Sequence, residues 1–156
     1  MREFLLTVLI LLAATGSGLV AGTFFAFSTF IMKALGEILS SGGIEAMQRI
    51  NKVILRSLFI PIFTGTAVIS AILAVWGIFF LDTARAIVLS AGALLYIICT
   101  FTLTIRFNVP LNTQLDRAKP EEAGELWKMY LLRWTQWNHV RTLAAMLAMV
   151  CFMLAL

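Results

Sequence analysis

Three stretches of this chain carry no Asp, Glu, Lys or Arg over lengths that match a lipid bilayer. They run over 4–32, 57–81 and 86–105. A helix needs about 20 apolar residues to cross the hydrocarbon core, and each run meets that length. After Arg141 a further uncharged run reaches the end of the sequence, but it is too short to cross unaided. A fourth crossing must therefore take in Trp137, Asn138, His139 and Arg141. The spans expected are 4–32, 57–81, 86–106 and 136–156, with an amphipathic pre-helix over 120–135 leading into the last. This predicts one all-α domain, an integral membrane four-helix bundle with both termini on the same side. The composition agrees. With 61% hydrophobic and 13% charged residues, a soluble fold of this size has no means of hiding its apolar surface.

Arg2 followed by an apolar run imitates a secretion signal. The run continues to Met32, too long for one, and reads as a span. Ten of the twelve cations fall in or beside the first and third loops. Only Arg2 and Arg85 lie on the other side. The excess places loops one and three in the cytoplasm and the termini outside, across a bacterial inner membrane. The net charge of +4 is explained by contacts with lipid headgroups. Nucleic acid is excluded as a partner, since the cations form no continuous stripe and are mixed with acids.

Packing signals are also present. Ala14, Gly18, Gly22 and Ala26 repeat every four residues, a face that suits a close helix neighbour in the bundle or in a homodimer. Pro61 is expected to bend the second span near its start. Val109-Pro110 is expected to end or break the third, because proline disfavours helical geometry in the residue before it. Pro120-Glu121-Glu122 has the composition of a helix start.

Polar residues collect where spans one and three end and spans two and four begin. Asn51, Arg56, Arg106, Asn108, Asn112, Asn138, His139 and Arg141 all belong to that end. Trp127, Tyr130, Trp134, Trp137, Asn138 and Arg141 recur at three- and four-residue intervals and share one helix face. His139 points about 100° away from Asn138 around the same helix. Each residue also has a plainer reading. Trp and Tyr suit the headgroup region, arginines snorkel to phosphates, and Asn108 and Asn112 cap or turn a helix end. A lone histidine serves as a general base, as one axial haem ligand, or as a structural residue. It builds no zinc site alone, and Cys99 and Cys151 form no metal-binding motif, so no metal is expected. No acid lies within a span, which argues against a carboxylate-based proton-coupled transporter.

Four segments carry a resemblance. They are Gly18-Leu-Val-Ala-Gly22 followed by Phe24, Phe25 and Phe27; Asn51 leading into Pro61-Ile-Phe63; Asn108-Val-Pro-Leu-Asn112; and Trp134-Thr-Gln-Trp-Asn-His-Val-Arg-Thr142. Together they resemble a family of small four-helix membrane proteins that includes the fungal anthrone oxygenases. The resemblance implies a cofactor-independent oxygenase for a flat aromatic carbon acid such as an anthrone or a polycyclic phenol. By that analogy His139 is the base, with Asn138 and Arg141 as its catalytic partners. Asn138, Arg141, Asn108 or Asn112 holds the enolate oxygen, Trp134 and Trp137 stack on the substrate, and Asn51 and Arg106 complete the binding site. Two other functions fit the residues: a haem- or quinone-binding redox or sensor protein with His139 as ligand, and a structural membrane subunit.

Overall fold

The computed structural model describes residues 1–118 and 123–156. They form five helices: α1, Arg2–Gly36; α2, Ser40–Ile54; α3, Phe59–Phe80; α4, Thr83–Asp116; and α5, Ala123–Leu154. No strand occurs among the described residues. All but α2 are long and apolar enough to cross a membrane. They pack as an all-α membrane bundle, with α1 against α3 and α5, and α4 against the same two neighbours.

Both termini meet at one end. The Arg85 guanidinium, in the first turn of α4, donates from Nε to the Ala155 carbonyl at 2.8 Å and lies 3.3 Å from Glu3 Oε2. Asp82 caps α4 by accepting the Arg85 backbone N–H at 3.1 Å. The bundle core on this side is Leu6, Ile10, Ala13, Leu73, Leu89 and Phe152. Leucines, isoleucines and phenylalanines cover the outside, as a lipid-facing surface requires.

At the other end lies α2, an amphipathic helix absent from the expected spans. Its buried residues Ile44 and Met47 join Met32, Leu115, Trp127, Tyr130 and Trp134 in a second apolar cluster. The two halves of the long final segment are one helix. From Ala123 onward, the expected pre-helix and the fourth span run together without a break. The expected start at Pro120-Glu121-Glu122 lies outside the described residues.

Val109-Pro110 corrects a sequence-based expectation. The helix neither ends nor breaks there. Val109 is helical (φ −62°, ψ −45°), and α4 continues to Asp116. The turns before it are wider than an α-helix, with π-helical geometry over Leu95–Thr102 and Thr104–Asn108. A wide turn lifts the preceding carbonyls away from the proline ring, which also lacks the N–H that an α-turn would use. A similar π-turn occupies Phe27–Ile31 in α1. Pro61 sits in the first turn of α3, where its missing N–H has no partner to lose.

The tightest approach in α1 is at Gly16; of the expected small-residue face, Gly18 also meets a neighbour, since a Cβ there would lie 2.9 Å from Met149 Sδ of α5, and Gly22 does not. A Cβ on Gly16 would overlap the Thr66 hydroxyl of α3, whereas one on Gly22 would meet nothing within 4 Å. The Thr66 hydroxyl is tied to the Ile62 carbonyl at 2.7 Å and cannot swing aside freely. Gly16→Val is therefore expected to cost about 1–3 kcal/mol through overpacking, read as a lower unfolding midpoint in detergent. Gly22→Leu is expected to leave the midpoint unchanged. A change of oligomeric size in Gly22→Leu would instead mark that face as a contact with a second copy.

Candidate functional site

A cavity of about 160 Å³ sits at the α2 end of the bundle. Every helix contributes to it. Phe24 and Phe27 come from α1, Met47, Ile50 and Asn51 from α2, and Phe59 and Phe63 from α3. Thr104 and Asn112 come from α4, and Trp134 and Arg141 from α5. The walls are mainly aromatic and aliphatic, and the ring of Phe24 leans on those of Phe59 and Phe63.

Arg141 is the unusual member. It is 2% exposed, in the middle of a membrane-crossing helix. About 20 Å of helix separates it from Leu154, so it lies within the apolar span, nearer the α2 end. Its Nη1 donates to Thr104 Oγ1 at 3.1 Å and its Nη2 to Asn138 Oδ1 at 2.6 Å. The guanidinium carbon lies 4.1 Å from the centroid of Phe24 and 5.2 Å from that of Trp134. Among the described residues no carboxylate pairs with it, and its Nε has no acceptor. An arginine at that depth costs several kcal/mol, and a neutral amide, a hydroxyl and two ring faces offset only part of it. A positive potential therefore persists at the wall of an apolar cavity, where little water screens it.

The surrounding amides hold this geometry. Asn138 donates from Nδ2 to the Phe24 carbonyl and to Ser28 Oγ, both at 2.7 Å. It thereby clamps α5 to the start of the π-turn in α1. Thr142 joins the same cluster through Ser28, at 3.0 Å. Asn112 Oδ1 accepts from both Tyr130 Oη and Trp134 Nε1, each at 2.8 Å, which fixes Trp134 as a wall of the cavity. Asn108 donates to the Trp134 carbonyl at 3.1 Å and supports that wall from behind. Asn51 lines the cavity, and its amide nitrogen is buried without an acceptor among the described residues.

The expected site residues thus separate into three groups. Asn51, Asn112, Trp134 and Arg141 line the cavity, while Asn138 and Asn108 brace it. Trp137, Arg106 and His139 stand apart. Trp137 stacks on Phe107 with centroids 3.9 Å apart, which occupies its face. Arg106 is exposed. His139 is also exposed, makes no side-chain hydrogen bond to the described residues and does not line the cavity. Its position one residue after an inward-facing asparagine turns it to the outside of α5. Thr104 and Ser28 were not singled out from the sequence. Thr104 precedes Asn108 and Asn112 at four-residue spacing, a signal hidden by the expected break at Pro110.

The family model for anthrone oxygenase matches residues 56–151. The chain belongs to the anthrone oxygenase family. The matched stretch covers α3, α4 and most of α5, and so includes Thr104, Asn112, Trp134 and Arg141 of the cavity wall. Among those family-matched wall residues, Arg141 is the only one that carries a formal charge. No curated protein and no solved structure matches the chain.

Proposed function

We propose that this protein is a membrane-embedded oxygenase that binds a flat aromatic carbon acid, an anthrone or a close relative, and stabilises its enolate beside Arg141. The observation that carries this reading is a buried guanidinium, without a carboxylate partner among the described residues, facing an aromatic cavity. Such a group favours an anion over its neutral parent, and the anion is the reactive form.

The chemistry then needs little else. The CH₂ between two aromatic rings loses a proton, and its charge spreads onto the carbonyl oxygen. That electron-rich carbon reduces O₂ and forms a C–O bond to it. The resulting peroxide takes up a proton and, with loss of the remaining C–H hydrogen, expels water to leave the second carbonyl of a quinone. One O₂ is consumed, one oxygen atom enters the product, and the other leaves as water. Arg141 Nε and the Asn51 amide nitrogen, both without acceptors among the described residues, supply donors for the enolate oxygen. Trp134, Phe24 and Phe63 supply flat walls for the rings. No imidazole or carboxylate lines this cavity among the described residues, so the proton is assigned to water. Stabilisation of the anion by Arg141 makes that transfer easier. The placement of His139 gives a base role in this cavity no support.

The test is oxygen uptake by detergent-purified protein with dithranol, a dihydroxyanthrone, corrected for its spontaneous oxidation. The expected result is one O₂ consumed per quinone formed, saturating with substrate, from a protein without visible absorption of its own. A strong Soret band lost in His139→Ala would replace this reading with the haem-binding one. No uptake above the spontaneous rate would end the oxygenase reading.

A further inference from the structure

The cavity is not closed on all sides. Leu55, after α2, is 69% exposed, while Ile105 and Val109 on α4 are 52% and 45% exposed, yet all three line the cavity. Ile60, in the first turn of α3, lines it too and is half-buried. The close packing of α3 against α4 is confined to residues 83–102 of α4. Beyond Thr102 these four aliphatic side chains form two lips, Leu55 with Ile60 and Ile105 with Val109. A side chain that borders both the cavity and the surroundings marks an opening.

The neighbours of this slot set its depth. Leu55 is followed by Arg56, and Ile105 by Arg106, and both arginines are exposed. Arginines flanking apolar spans extend to the phosphate level. The slot then lies just inside the headgroups and faces acyl chains. A second, more polar groove of about 220 Å³ shares Leu55 and Val109 with the slot and reaches Asn51 and Asn112 past Lys52, Thr113 and Asp116, so Ile60 and Ile105 are the lip positions that belong to the slot alone. There Lys52 and Asp116 form a 3.1 Å ion pair that links the two helices.

We infer that the substrate reaches the cavity from the bilayer, as a neutral, flat, lipid-dissolved molecule with one ionisable carbon or oxygen acid, through the slot between Leu55–Ile60 and Ile105–Val109. This rests on the reading of Arg141 as the anion site and adds the form in which the ligand arrives. An aliphatic slot admits the neutral molecule and opposes the anion, which would have to shed its water with no partner on the way. Once inside, ionisation beside Arg141 retains the molecule. Oxidation replaces the acidic CH₂ with a carbonyl, so the product has only its phenols left to ionise, is held less tightly and leaves by the same slot.

The experiment uses danthron, a dihydroxyanthraquinone that cannot turn over, with the full chain in phosphatidylcholine vesicles. Its association rate is followed by quenching of protein fluorescence. Ile105→Trp and Ile60→Trp, one on each lip, are each expected to slow association about tenfold, whereas Thr113→Trp in the polar groove leaves it unchanged. Both lip positions border the surroundings, so a larger side chain there has room to leave the bundle intact. Unchanged association in both lip variants, slowing by Thr113→Trp alone, or no saturable danthron binding overturns the inference. Lip-dependent danthron binding in a protein that shows no oxygen uptake supports the access route and sinks only the oxygenase chemistry.

Discussion

Arg141→Gln is expected to lower enzyme-dependent oxygen uptake with dithranol by about 10²–10³-fold, the usual loss when a preorganised donor to a developing oxyanion is removed. Glutamine keeps much of the length and polarity but not the charge or the forked donor geometry. The fold is expected to survive. No carboxylate depends on Arg141 among the described residues, so its removal leaves no buried anion unpaired. The losses are a 3.1 Å bond to Thr104 and a 2.6 Å bond to Asn138. Thr104 keeps its bond to the Thr100 carbonyl at 2.7 Å. Arg141→Lys should retain part of the rate, because an ammonium keeps the charge but cannot make the same fork. His139→Ala is the paired control, expected to stay within about twofold of the parent, since exposed substitutions away from a site change little. A rate lost in His139→Ala and kept in Arg141→Gln would reverse the two assignments.

That control separates what the sequence discloses from what only packing decides. The membrane spans follow from uncharged length alone, because lipid tolerates little but a fully hydrogen-bonded apolar helix. The inward stripe of α5 was readable too. Trp134, Asn138 and Arg141 recur at helical spacing and do face the interior, and the same spacing turned His139 outward. Resemblance to the family and the scarcity of histidine drew attention to a side chain that helical geometry had already set apart. α2 was harder to see. It is short, partly polar and gains its helical form from laying Ile44 and Met47 on α5 and its neighbours, a tertiary effect rather than a local one. The course of α4 past Pro110 was hidden for a related reason. Local rules for proline assume an α-turn before it, and here the turn is π-helical. That single difference joins Thr104, Asn108 and Asn112 to one continuous helix and brings all three to the cavity or to its supporting wall.

Asn138→Asp makes the sharpest test of why the charge of Arg141 matters. The substitution keeps an acceptor 2.6 Å from Nη2 and gives it a full negative charge. At about 3 Å, with an effective dielectric near 20, the added attraction is of order 5 kcal/mol before the cost of burying the carboxylate. The two donor bonds from Nδ2 are lost. Neither of their acceptors is stranded, since the Phe24 carbonyl also accepts the Phe27 backbone N–H and Ser28 also meets Thr142. Asp also sets a carboxylate oxygen where Nδ2 met the Phe24 carbonyl, acceptor against acceptor, so the unfolding midpoint should fall by more than the loss of two interhelical bonds of about 0.6 kcal/mol each would give. Turnover should fall about tenfold or more, because an enolate must now compete with a tethered carboxylate for the same guanidinium. Asn138→Leu supplies the comparison. It removes the same donor bonds and also the 2.6 Å acceptor of Arg141 Nη2, without adding charge, so any loss it shows measures misplacement of Arg141. If Asn138→Asp loses much more than Asn138→Leu, the free charge is the functional quantity. If both lose equally, Asn138 acts only by holding α1 against α5. A gain in Asn138→Asp would mean that proton removal limits the rate, since a carboxylate behind the cavity wall is a stronger base than the water to which the proton is assigned.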